Sequence, residues 1–186
     1  MTARDELLDR VVAWFAENGI GDTSLRTLAA SIGTSHRMLI YHFGSREGLL
    51  SAVVEAVERG ERETLTSLMA EATDPFEAGS VFWEHVCASA ATFAPLFFEL
   101  SAAAMQGKAY AAPLRDWLIA GWVEPLAEEF ARLGVGAVHA DELAHLSLAV
   151  ARGLLFEASV TGDRAAPDAA IARFTAMVRA MASGPA

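Results

Sequence analysis

Between Thr23 and Arg46 the charged side chains are Arg26, Arg37 and Arg46, joined by His36 and His42, and no acid falls among them. A guanidinium bonds phosphate oxygens and, when bidentate, the major-groove edge of guanine. Thr34, Ser35 and Tyr41 add hydroxyls to the same run. Such a segment has the chemistry to hold a polyanion. The whole chain points the other way. With 14 Lys and Arg against 24 Asp and Glu it carries a net charge of −10, which alone argues against a nucleic-acid partner. Distribution resolves the conflict: from Ser51 onward 18 acids stand against 9 bases, so the two parts of the chain have different electrostatic roles.

The elements that would position these residues are short helices. Leu25, Leu28, Ala29 and Ile32 share one face of a helix capped by Thr23 or Ser24 and ended at Gly33. After the turn Gly33-Thr34, Ser35 caps a third helix over His36 to about His42, and Gly44-Ser45 breaks it. Helix, tight turn and helix, over about residues 26 to 45, is helix-turn-helix grammar. Ala29 and Gly33 stand four apart, a small side chain for a close crossing and a glycine for a left-handed turn. Leu25, Leu28, Ile32, Leu39 and Phe43 form the expected core, which leaves His36, Arg37, Tyr41 and His42 outward. Arg37 lies near the N-terminal end of the second helix, the part that enters a major groove. For Arg26, His36, His42 and Tyr41, a solvated or packing role stands beside the DNA-facing one.

Before this motif a helix from about Thr2 to Asn18 carries Leu8, Val11, Val12 and Phe15 at helical spacing. After it, a long fourth helix runs to just before Asp74-Pro75, with Glu55–Arg59 and Glu58–Arg62 spaced for ion pairs. Asp74 as N-cap and Pro75 as first residue open a fifth helix to about Phe93. Pro95 and Pro113 are expected to open the sixth and seventh. An eighth spans about Ala140 to Thr161, and a ninth begins at Pro167-Asp168 and fades at Ser183-Gly184-Pro185. Hydrophobic residues are 53% of the chain, and only six are Pro. The expected class is all-α, of about nine helices.

The run Gly33-Thr-Ser-His-Arg-Met-Leu-Ile-Tyr-His-Phe-Gly-Ser-Arg-Glu-Gly-Leu-Leu50, preceded by Leu25-Arg-Thr-Leu-Ala-Ala-Ser-Ile32, resembles the tetracycline-repressor (TetR) family. The resemblance covers roughly residues 5 to 54. It implies a DNA-binding domain over 1–47 and a ligand-binding and dimerisation domain over 48–186. It also implies a homodimer on double-stranded operator DNA, with repression relieved by a small-molecule effector. By analogy, Ser35, His36, Arg37 and Tyr41 approach bases and phosphates, and His42 and Arg46 contact phosphate. One departure is visible: Ile40 stands where the family usually has a phosphate-binding tyrosine.

Large apolar side chains crowd the stretch from Phe76 to Phe130. Phe82, Trp83, Phe93, Phe97, Met105, Trp117 and Trp122 are candidate linings for a mostly hydrophobic, ligand-sized pocket between helices. His85 is the expected polar member, on one stripe with Phe82, Val86, Ser89 and Phe93. Core packing is the alternative for all of them. The segment Leu143 to Phe156 is apolar almost all round and must be covered on more than one side. Leu143, Leu146, Val150 and Leu154, with Phe174 and Val178 of the ninth helix, are therefore the expected two-fold interface.

Other classes fare worse. His139-Ala-Asp-Glu142-Leu-Ala-His145 holds one Glu-x-x-His pair, whereas a di-iron carboxylate site needs two and further glutamates. It is not a zinc-protease motif either, and no nucleophile elbow or phosphate loop occurs, so neither catalytic residues, a metal nor a cofactor is expected. The lone Cys87 lies in an apolar run and suits a buried thiol. A helical-bundle binding protein or carboxylate-type enzyme without DNA binding is the alternative function. The charged start, MTARDELLDR, lacks a secretory apolar region, and the longest uncharged apolar run, Val86 to Phe98, falls short of a membrane span. A cytoplasmic protein without membrane partners is expected.

Overall fold

In a computed structural model, residues 2–21 and 23–182 are described, and among them every regular element is a helix. The order is α1 (Ala3–Asn18), α2 (Leu25–Ser31), α3 (His36–Phe43), α4 (Arg46–Glu71), α5 (Pro75–Met105), a single 3-10 turn (Ala109–Ala111), α6 (Leu114–Trp117), α7 (Ala120–Arg132), α8 (Ala137–Thr161) and α9 (Ala165–Ala182). The expected end of the ninth helix at Ser183-Gly184-Pro185 lies outside the described residues.

Local chemistry sets most of the boundaries. Thr2 and Asp5 bond reciprocally to each other's backbone N–H in a capping box that starts α1, and Gly19, at φ +74°, ends it. Asp74 Oδ1 accepts the Phe76 N–H at 3.0 Å, so Asp74 caps a helix whose first residue is Pro75.

Two sequence expectations are corrected. Pro95 does not open a helix but sits inside α5. It deletes one backbone donor, yet Ala94, Leu96, Phe97 and Leu100 are buried on both sides of it, and that packing holds the helix through the gap. The second correction concerns length: the fifth helix runs to Met105 rather than to about Phe93. Pro75–Met105 and Val138–Thr161 are long and apolar enough to cross a membrane by length and composition alone, a test that core helices of soluble proteins also meet.

Packing groups the chain into two compact units that do not follow sequence order. The first combines residues 2–61 with Ala91–Arg115. Its buried side chains include Leu8, Val11 and Phe15 of α1, Leu28 and Leu39 of the helix-turn-helix, Leu49 and Val53 of α4, and Leu100 of α5. The Ser51 hydroxyl donates to the Tyr110 carbonyl at 2.8 Å, joining α4 to the 3-10 turn. The second unit combines Arg62–Ala90 with residues 116–182. Leu65, Trp122, Val123, Phe130, Ala140, Leu143, Ala144, Leu148 and Val178 form its core, with α7 packed along α8 and α8 against α9.

Candidate nucleic-acid interface and effector region

The helix-turn-helix is built by side-chain caps and one left-handed glycine. Ser24 Oγ accepts the Thr27 N–H at 3.2 Å and starts α2. At its end the Gly33 N–H reaches the Ala30 carbonyl and the Thr34 N–H reaches the Ala29 carbonyl at 2.9 Å. These crossed bonds, with Gly33 at φ +68°, make a Schellman turn, which needs the left-handed conformation that glycine adopts without strain. Ser35 Oγ then accepts the Met38 N–H at 3.2 Å, starting α3 immediately. Leu28, Ala29, Leu39 and Phe43 are buried between the helices, whereas Leu25 and Ile32 are only half-buried.

Of the four side chains expected on the outside of α3, His36, Arg37 and Tyr41 are there and His42 is half-buried. Ser35, His36, Arg37 and Tyr41 are exposed, Tyr41 by 78%, and Arg26 is exposed on α2. Thr34, His42 and Arg46 are half-buried. Tyr41 packs edge-on to His42, with centroids 4.9 Å apart. Met38 and Ile40 are also exposed, adding apolar surface beside the polar groups that the charge pattern did not reveal. Arg46 is partly committed, since its Nη2 donates to the Gly21 carbonyl at 3.0 Å. The same is true of Arg10, whose Nη1 donates to the Ile32 carbonyl at 3.0 Å, and Arg4 lies over the Phe43 ring at 5.2 Å. Both arginines of α1 thus brace the motif, a role with no local sequence signal. Glu47, in the first turn of α4, has its carboxyl held below the usual range by hydrogen bonds from the backbone and from Ser45.

The candidate effector residues divide. Phe82, Trp83, His85, Trp117 and Trp122 belong to the second unit; Phe93, Phe97 and Met105 belong to the first. Phe82 and Trp122 are in ring contact at 5.9 Å. His85 does not face the interior: it is exposed and stacked on Phe82 at 6.4 Å, because the helix turns Trp83 inward in its place. Met105, at the end of α5, is 83% exposed. Cys87 is half-buried, and desolvation pushes its thiol up.

The residues expected at a two-fold interface divide as well. Leu143 and Val178 are each 4% exposed within the core of the second unit, with Phe174 packed against them, so they face inward in the single chain. Val150 and Leu154 are half-buried and Leu146 is exposed. The outward apolar stripe runs through Leu146, Ala149, Gly153, Phe156 and Val160 of α8, with Met177 and Met181 of α9. Farther along the surface, His139 lies 3.1 Å from Glu142 and His145 3.9 Å from Asp141, as exposed pairs along one helix. No three potential metal ligands converge among the described residues.

Residues 7–53 match the family model of bacterial regulatory proteins, tetR family. No curated protein matches the chain in sequence. Among solved structures, a TetR-family transcriptional regulator from Pectobacterium atrosepticum is 26% identical, with 98% of this chain and 95% of that one covered at a TM-score of 0.68. A transcriptional regulator from Rhodococcus sp. Rha1 is 18% identical over 95% and 96% of the two chains, at 0.69. A TetR transcriptional regulator from Legionella pneumophila is 18% identical over 95% and 97%, at 0.63. The two more distant likenesses carry the fold alone. The family match falls on the segment that the caps and the Schellman turn shape into a helix-turn-helix, so residues 7–53 form a helix-turn-helix domain of the kind found in tetR-family bacterial regulatory proteins, and the whole chain is similar to a TetR-family transcriptional regulator.

Proposed function

We propose that this regulator is a homodimeric repressor that binds a palindromic operator and is released from it by a small, mostly hydrophobic ligand. Residues 1–47 are the DNA-binding domain in this reading, and residues 48–186 bind the ligand and dimerise. The observation that carries it is the outer face of α3: Ser35, His36, Arg37 and Tyr41 stand exposed in a stretch with no acid from Thr23 to Arg46. A surface of donors on a short helix is suited to phosphates and major-groove base edges. Arg26, Thr34, His42 and Arg46 flank it as backbone contacts.

Dimerisation is supported by the stripe on α8 and α9. Its apolar members recur every three or four residues, and Ala149 and Gly153 at its centre allow two helices to approach closely. The ligand region is supported by the aromatic side chains of the second unit. Binding there would act through α4, which runs unbroken from Arg46 beside the helix-turn-helix to Glu71. The reading involves no catalytic step.

Selection of bound sequences from a random duplex pool tests it. A two-fold symmetric site whose affinity falls steeply with salt is expected. An enriched site without symmetry, or no enrichment at low salt, would overturn the proposal.

A further inference from the structure

Arg62, on α4 and in the second unit, lies over two indoles, its Cζ 5.8 Å from the Trp117 ring centroid and 5.9 Å from that of Trp122. Gly121 lies beside the guanidinium, where a Cβ would sit in ordinary contact at 3.5 Å from Cζ. Arg62 Nη1 and Trp117 Nε1 are both shielded from solvent, and neither has a hydrogen-bond partner among the described residues. Buried donors are nearly always paired, so two unmet donors beside one ring call for an explanation.

Their chemistry narrows what satisfies them. Arginine and the indole N–H donate and never accept, so the complement is an acceptor. The guanidinium carries a full positive charge, and the ring faces beside it supply partial compensation. A carboxylate offers acceptors alone and a single negative charge, matching one guanidinium and one indole N–H. Phe82, in contact with Trp122, extends the apolar wall beyond the charged point. We propose that Arg62 and Trp117 form a carboxylate-binding point in the effector region, so that the ligand is a hydrophobic organic acid. The inference rests on the inducible-pocket reading above and adds the charge that the sequence reading did not foresee. It also identifies the place where ligand would touch α4: Arg62 is the α4 residue that bonds the acid.

Benzoate, phenylacetate and octanoate, each paired with its primary amide, test this on the full-length protein. Binding is followed by the indole proton–nitrogen spectrum of the four tryptophans, with Trp117 assigned through Trp117→Phe, and by release of the selected operator. At least one acid is expected to bind about tenfold or more tightly than its amide and to move the Trp117 indole signal downfield, which the amide does not. Arg62→Met keeps the aliphatic stem and removes the donors, and Trp117→Phe keeps the ring and removes the N–H. Each should bring the acid to the level of its amide. Acids and amides that bind alike and both release the operator leave the pocket reading standing and overturn the carboxylate point. Acid binding at Trp117 without operator release supports the carboxylate point and removes its role as inducer site. Binding and operator release by an amide but by no acid overturns the carboxylate point alone, and no binding by any acid or amide overturns both.

Discussion

The indole Nε1 of Trp83 donates to Asp168 Oδ1 at 2.7 Å, tying α5 to the first turn of α9. Arg164 Nη2 completes the cluster, reaching Glu84 at 2.8 Å and Asp168 at 3.1 Å. The Trp83 bond, opposed by desolvation and helped by the Arg164 hydrogen bond and charge, holds the Asp168 carboxyl below its ordinary value. A carboxyl lowered on folding stabilises the protein fully above its unfolded pKa, and that contribution disappears as pH falls through the folded value. Trp83→Phe removes the donor and keeps the ring. It should lower Tm by about 2–4 °C at neutral pH and flatten the loss of stability below about pH 4. Urea midpoints across that range check it; an unchanged acid limb would show that Asp168 is held by Arg164 alone.

The turn of the DNA-binding motif gives a cleaner case. A Cβ on Gly33 would meet nothing within 4 Å, so Gly33→Ala introduces no clash and acts only through its φ of +68°. The expected cost is roughly 1–2 kcal/mol, with unfolding followed by urea. Loss should be equal with and without the Arg37 side chain, since the effect is in the backbone.

These elements also mark where the sequence was legible. Ser24, Ser35 and Asp74 cap helices, and Gly33 and Gly44 end them, through bonds spanning two to five residues, so residue type at one position was enough. The outer face of α3 followed from the same local geometry. What spacing could not reveal was non-local. Arg10 braces Ile32, and Arg62 lies over Trp117 and Trp122, contacts set by tertiary packing alone. Nor could periodicity separate the inner and outer faces of α8, where both are apolar. Leu143, expected at the interface, is core, and on α5 spacing alone could not tell that Trp83 turns inward and leaves His85 exposed.

Operator recognition separates two arginines. Arg37 is exposed on α3, whereas Arg46 is half-buried and already donates to Gly21. Arg37→Ala should cost roughly 1–3 kcal/mol on the selected operator and relax preference at one position per half-site. Arg46→Ala should weaken all sequences alike and reduce the salt slope. Gel-shift titrations against operator variants distinguish them; equal losses on every sequence for both would remove Arg37 from base reading.

The two faces of α8 make opposite predictions for neighbouring leucines. Leu143 is buried in the core with Phe130 and Val178, so Leu143→Ala should lower stability by about 2–5 kcal/mol through the cavity it leaves. Leu146 is 53% exposed at one end of the stripe that continues through Ala149, Gly153 and Phe156. A charge there costs little in a single chain but is buried unpaired when two copies pack along the stripe. Leu146→Asp should therefore leave the helical spectrum intact while light scattering at micromolar concentration falls from a dimer mass to a monomer mass, and operator affinity falls with it because one half-site alone is held. A Leu146→Asp protein that remains a dimer and binds the operator normally would move the interface off this face. If instead Leu146→Asp unfolds the chain and Leu143→Ala yields a folded monomer, the inner and outer assignments of α8 are reversed.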